Sequence, residues 1–313
     1  MVHIEIDPGA GFCSGVEKAI GMAESMLQSG EKVFTLGEMI HNREEMNRLH
    51  ALGMKTLRHG DLATLKPEKI LIRAHGEPPS TYALAEALHI GVIDGTCPIV
   101  TRLQKKIRKA YEAMDHEREQ LAIFGKEGHP ETVGHLGQVN GDAVVIGSPD
   151  EVTKVDPGKK VLLFSQTTMD PDLYREVEEK LQAYLERHRE GVPDDSDGKH
   201  AGMTTEPLLR SSCTICGQMK KRKPALEVFA KKHDLIVFVS GKNSSNGKML
   251  YEFCRSVNPN TRWISSAAEI DPSWTGGTGS IGVSGATSTS REQLESVAGH
   301  LRKISSSNST NFD

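Results

Sequence analysis

Short runs of Val, Ile, Leu and Phe alternate along this chain with stretches whose apolar residues recur every three or four positions. The runs predict strands over 32–36, 69–74, 91–94, 121–125, 143–147, 161–165, 234–240, 262–265 and 280–284. They are nearly continuous rather than alternating, as a strand reads when helices cover both faces of a parallel sheet. Helical spacing appears in Val16, Ile20, Ala23 and Leu27. It returns in Val100, Leu103, Ile107 and Met114, with Pro98 suited to a first helical position, and again in Met219, Leu226, Phe229 and Ala230. The alternation predicts an α/β fold with parallel or mostly parallel sheets.

A cysteine precedes each of these three stripes: Cys13 in Gly-Phe-Cys-Ser-Gly-Val, Cys97 in Gly-Thr-Cys-Pro-Ile-Val and Cys216 in Cys-Thr-Ile-Cys-Gly. The unit strand–cysteine–helix occurs twice clearly and a third time loosely, since 208–213 makes a poor strand. At 313 residues the chain is long for a single core. Together these features predict three similar α/β domains about a common centre, at 1–97, 98–190 and 213–303. A Gly/Asp/Ser-rich linker or surface insertion is expected at 191–212, and a Ser/Asn-rich disordered tail at 304–313.

Composition narrows the function. A net charge of −4 gives no electrostatic basis for binding nucleic acid. The N-terminus carries acids and no apolar run, so no signal peptide is expected, and no stretch reaches the ~18 apolar residues of a membrane span. Five cysteines, an odd and scattered number, suit reduced thiols in a cytoplasmic protein, free to bind metal. Three thiolates brought to one point can hold an iron–sulfur cluster and leave one iron open to substrate. Cys254, on the helical pattern 249–257, reads as a small apolar core residue. Cys213 and Cys216 alone resemble half a zinc site, but no second pair lies at zinc-finger spacing. His50, His59, His89, His116, His200, His233 and His300 read as surface residues, Lys220–Lys223 as a solvated helix face, and His135 either as a residue near the site or, by preference, as part of a helix after Glu131.

Polar residues gather just past the strand ends: His41, His75-Gly, His129-Pro-Glu131, Gln-Thr167-Thr, Lys-Asn-Ser244-Ser245-Asn246 and Gly-Ala-Thr-Ser288. Ligands of open α/β sheets bind there. Imidazoles, hydroxyls and amides with few fixed cations, helped by helix N-termini, suit a phosphate or diphosphate. Glu131, paired with Thr167, reads as a proton donor with a hydroxyl relay.

These motifs in this order resemble the LytB-type reductases that act on 4-hydroxy-3-methylbut-2-enyl diphosphate. The resemblance runs from about Gly11 to Leu301. It implies three α/β domains arranged pseudo-threefold around a central [4Fe–4S] cluster, with Cys13, Cys97 and Cys216 as ligands. It implies that His41, His75, His129, Thr167, Ser244, Ser245, Asn246 and Ser288 bind an allylic diphosphate, and that Glu131 and Thr167 serve catalysis. The implied reaction is reductive dehydroxylation to isopentenyl and dimethylallyl diphosphate, with electrons from a donor such as ferredoxin or flavodoxin and no part for nucleic acid or membrane. The chain departs from the family at Gly217-Gln-Met-Lys-Lys-Arg-Lys223, at Ser290 where the family has proline, and at the additional Cys213. Two alternatives stand beside this reading: a paralogous iron–sulfur reductase with another allylic substrate, and a cluster-based redox sensor.

Overall fold

The computed structural model describes residues 2–65, 67–189 and 207–309. The chain opens with β1 (His3–Ile6), α1 (Ser14–Gln28), β2 (Phe34–Leu36), α2 (Arg43–Ala51), β3 (Lys55–Leu57), α3 (Asp61–Leu65), β4 (Lys69–Ile72), α4 (Pro79–Ala87) and β5 (Gly91–Asp94). It continues with α5 (Pro98–Ala113), β6 (Glu119–Phe124), α6 (Pro130–Gly137), β7 (Val144–Ile146), β8 (Lys160–Ser165) and α7 (Pro171–Arg189). The last part contains β9 (Leu209–Ser211), α8 (Gly217–Ala230), β10 (Leu235–Val239), α9 (Ser245–Val257), β11 (Thr261–Ile264), β12 (Ser280–Gly285) and α10 (Arg291–Ser309). The fold is α/β, with three four-stranded sheets whose pairings are all parallel.

Two compact units share these sheets. The first is built from Met1–Ala74, Ala85–Cys97 and Lys220–Asp313, and contains the sheets β3-β2-β4-β5 and β1-β12-β10-β11. The second, His75–Leu84 with Pro98–Met219, contains β7-β6-β8-β9. β10 shows why these strands read as unbroken apolar runs. Its Leu235, Val237 and Val239 pack with Leu294, Val297 and Leu301 of α10 on one face. Ile236 and Phe238 pack with Leu226, Phe229, Leu250 and Cys254 of α8 and α9 on the other. Each such side chain, fully buried, contributes roughly 1.5–3 kcal/mol relative to exposure.

Three expectations are corrected here. The segment 1–97 does not close on itself, because β1 pairs with β12, His3 opposite Ser280. Residues Ile281 to Gly285 of β12 are buried, and a buried strand needs neighbours on both edges; β10 covers one and β1 the other. Within 191–212, Leu209–Ser211 is not linker but β9, paired with β8 from Val161 opposite Leu209. It is three residues long with Arg210 and Ser211 exposed, the short polar form that sheet edges take, which is why it was hard to read. The rest of the proposed insertion, up to residue 206, lies outside the described residues. Finally, 304–309 is helical: α10 runs to Ser309 and packs Ile304 on the core. The apolar spacing Leu294, Val297, Leu301, Ile304 outweighs the serines. Their hydroxyls bond back along the helix, Ser306 to the Arg302 carbonyl at 2.9 Å and Ser307 to that of Lys303 at 3.0 Å.

Candidate active site

Seven candidate residues lie in the first unit, and its backbone gathers them. Cys13 caps the start of α1, and its N–H donates to the Thr287 carbonyl at 3.4 Å. The Cys97 N–H donates to Ala74 O just past β4, and α5 begins at the next residue. Gly15 lets the two cysteines approach. A Cβ there would stand 2.6 Å from Cys97 Sγ, so only glycine admits the thiol against the first turn of α1. His41 follows β2, and Gly241 follows β10. A Cβ on Gly241 would lie 2.4 Å from the His41 carbonyl oxygen, so these two strand ends also meet at a glycine.

The hydroxyls and amides of this unit interlock. Asn42 caps α2 and donates from Nδ2 to the Ser288 carbonyl at 2.9 Å. Ser244 caps α9 by accepting from the Gly247 N–H at 3.0 Å, and its Oγ lies 3.4 Å from Ser288 Oγ. Ser245, exposed, is the first residue of α9. Asn246, buried behind it, donates from Nδ2 to Thr287 Oγ1, while its Oδ1 is buried with no hydrogen-bond partner. The N-termini of α1, α2 and α9 thus open among these residues, and each offers backbone N–H groups and a positive dipole end to an anion.

The remaining five candidates lie in the second unit. His129 caps α6, its Nδ1 accepting from the Glu131 N–H at 3.2 Å, which places the ring proton on Nε2 as a donor. The His75 ring meets it edge to face, with centroids 5.2 Å apart. Glu131 is fully buried; its Oε2 accepts from Thr167 Oγ1 at 2.9 Å, and its Oε1 from the Thr167 N–H at 2.6 Å. The Cys216 N–H donates to the Thr167 carbonyl at 2.9 Å, and α8 starts at Gly217. Carboxylate, hydroxyl and cysteine therefore follow one another through a single residue, Thr167.

Sequence reasoning missed several partners. His135 lies on α6 as expected, yet it is fully buried, with Nε2 3.2 Å from Glu131 Oε1. The spacing of four residues on one helix was the available signal. Burial pushes the Glu131 carboxyl up, but the hydrogen bond and charge of His135 and the Thr167 N–H outweigh it. The carboxyl is held below the usual carboxylate range. Gln166 braces the relay from below, its Oε1 accepting from Thr132 Oγ1 at 3.1 Å and from the Lys126 N–H at 3.0 Å.

Two further expectations are overturned. His233 is buried, not on the surface, packed between the rings of Phe229 and His3. Gly282 makes the room, since a Cβ there would lie 2.6 Å from His233 Cδ2. Within Lys220–Lys223, Arg222 is not solvated. It is buried, with Nη2 2.7 Å from Asp7 Oδ2 and 2.7 Å from Ser284 Oγ, to which it donates. By contrast, burial pushes the Cys254 thiol up to about 11, which suits an inert core residue.

The cysteines suit an iron–sulfur cluster by donor chemistry. Among the described residues no disulfide joins any of them. Cys13, Cys97 and Cys216 are half-buried and each stands at a helix N-terminus, where anionic sulfur is favoured. Cys213 is exposed and stands four residues before the start of α8.

Comparison with known proteins follows the same direction. The family model described as LytB protein matches residues 4–302. The 4-hydroxy-3-methylbut-2-enyl diphosphate reductase of Bacteroides thetaiotaomicron is 43% identical over 304 residues, covering 97% of this chain and 99% of the relative. The reductase of the same name from Chloroherpeton thalassium is 38% identical, with 96% of each chain covered. A solved structure of (E)-4-hydroxy-3-methyl-but-2-enyl diphosphate reductase, the terminal enzyme of the non-mevalonate pathway, matches with a TM-score of 0.67 and 29% identity over 97% of this chain and 100% of that one. The structure of the Plasmodium falciparum reductase, at 21% identity and a TM-score of 0.77 over 94% of this chain and 86% of that one, shows the shared fold.

Proposed function

Because the chain belongs to the LytB protein family, we propose that it reductively dehydroxylates (E)-4-hydroxy-3-methylbut-2-enyl diphosphate to isopentenyl and dimethylallyl diphosphate. Two electrons and two protons enter, the allylic C–O bond breaks, and one water leaves. Cys13, Cys97 and Cys216 would hold a [4Fe–4S] cluster. When bound, the cluster supplies single electrons and, with three thiolates for four irons, a Lewis-acidic iron open to the substrate hydroxyl.

The chain's own residues bind and protonate. Ser244, Ser245, Asn246 and Ser288, with the N-termini of α2 and α9, offer donors to the diphosphate. The unpartnered Oδ1 of Asn246 fits this role once its amide is turned. Oδ1 then accepts from Thr287 Oγ1, and the NH₂ group becomes a donor to the anion. His41, His75 and His129 add imidazole donors. Glu131 Oε2 exchanges a proton with Thr167 Oγ1, which hands it to the leaving hydroxyl, and His135 stands behind Oε1 to restore it.

The observation that carries this reading is the chain of contacts from Glu131 through Thr167 to Cys216. A protein that only sensed iron or redox state would have no use for a buried acid hydrogen-bonded to the residue that also holds Cys216. Two of the departures after Cys216 have structural roles: Met219 is buried and Arg222 is bound to Asp7. Ser290 accepts from the Gln293 N–H at 3.2 Å, which caps α10. Anaerobic turnover with reduced methyl viologen tests the proposal. Both products are expected, in step with viologen oxidised; iron-loaded protein that leaves the substrate unconsumed would contradict it.

A further inference from the structure

Among the described residues, nothing covers the outer face of α8. The inner face is fixed by Met219, Leu226, Phe229 and Ala230 in the core and by Arg222, clamped to Asp7 and Ser284. That clamp sets the rotation of the helix. It turns outward Lys220, Lys221, Pro224, Ala225 and Val228, all exposed. Val228 is 61% exposed, the highest value among the large hydrophobic side chains found at the surface. Lys221, Pro224, Ala225 and Val228 fall at helical spacing on one stripe, and exposed Lys231 and Lys232 close its far end.

The stripe therefore has a small apolar centre between two pairs of lysines. The one acidic residue of α8 is Glu227, which is held by Lys231. Lys220 and Lys221 form no ion pair among the described residues, in a chain whose net charge is −4. Lys220 and Lys221, cations without an acidic partner beside an apolar patch, form a docking surface for an acidic protein. They speed encounter through charge, while the patch supplies a small contact that releases readily. From Lys221 to Ala230 the helical part of the stripe spans about 14 Å at 1.5 Å per residue, the scale of a transient redox contact of less than about 1,200 Å².

Position decides which acidic protein. α8 starts at the residue after Cys216, so Lys220 and Lys221 lie within the first two turns beyond that cysteine. We propose that the outer face of α8 is where a small acidic electron-transfer protein docks to deliver the two electrons of the reaction. This inference rests on the function proposed above, which requires an external electron donor. It also gives a use to the lysines by which the chain departs from its family after Cys216.

Two measurements on the cluster-loaded, full-length protein test it. The probe is an acidic flavodoxin, with Lys220→Glu/Lys221→Glu and Val228→Asp as the variants. In binding titrations at low salt, both variants should weaken flavodoxin binding by about tenfold or more, and the wild-type affinity should fall as salt rises. In turnover, the KM for reduced flavodoxin should rise correspondingly, while methyl-viologen-driven turnover stays within about twofold of wild type. Wild-type protein that binds no flavodoxin at low salt, or variants that bind it unchanged, would overturn the docking surface. Loss of viologen-driven turnover in wild type would instead remove the proposed function. A variant that loses viologen-driven turnover has damaged the fold or the cluster; the Val228→Asp and binding arms then decide.

Discussion

At the scale of single residues, the proposed reaction turns on Glu131. Its two oxygens do different work: Oε2 faces the Thr167 hydroxyl, while Oε1 takes the Thr167 N–H and the His135 ring. The environment holds the carboxyl in its anionic form, so it must be given a proton before it can pass one on. Glu131→Gln keeps the size and the hydrogen-bonding reach but removes the acid. We expect this variant to retain iron and substrate binding while turnover falls by about 10²–10⁴-fold. Thr167→Val should lose less if a water replaces the hydroxyl, and steady-state assays with reduced viologen separate the two. Near-normal turnover in Glu131→Gln would move the proton source to the diphosphate itself. The pairing of Glu131 with Thr167 was legible in the sequence because both follow strands that are neighbours in one sheet, β6 and β8. His135 was not legible as a partner, because a histidine on a helix reads the same whether its face is buried or wet.

At the scale of elements, glycines decide which ends of strands and helices can meet. Gly15 stands where any Cβ would overlap Cys97 Sγ and Cβ, at 2.6 and 2.9 Å. Gly15→Ala should therefore displace Cys97 or the first turn of α1, at a cost of roughly 1–3 kcal/mol for overpacking. Iron content after anaerobic reconstitution should fall well below that of wild type, although every cysteine is still present. Full iron content and unchanged thermal stability would show that the approach of α1 to Cys97 is not needed. The sequence showed Gly15 only as part of a motif, since close approach of two distant segments leaves no periodic trace. The same limit hid β1. Four residues at the start of the chain carry no sign that their partner, β12, lies nearly the whole chain away. Runs buried on both faces, such as β10 and β8, were legible to within a residue or two because continuous apolar character needs no knowledge of partners.

At the scale of the whole molecule, the repeat of strand, cysteine and helix was readable clearly twice and loosely a third time, and the fold has three four-stranded parallel sheets. What the repeat did not reveal is that the chain's compact units are discontinuous, with 75–84 and 98–219 separated from the segments before and after. No helix among the described residues is long and apolar enough to cross a membrane. The central claim is that Cys13, Cys97 and Cys216 hold one cluster with an iron left open for the substrate hydroxyl. Mössbauer spectroscopy of ⁵⁷Fe-reconstituted protein, with and without (E)-4-hydroxy-3-methylbut-2-enyl diphosphate, tests it most directly. A [4Fe–4S] spectrum is expected in which one iron site of the four is distinct and alone changes when substrate is added. The same is expected for Cys213→Ser, and loss of the cluster for Cys216→Ser. Four equivalent irons indifferent to substrate, or a cluster that survives Cys216→Ser but not Cys213→Ser, would contradict the claim.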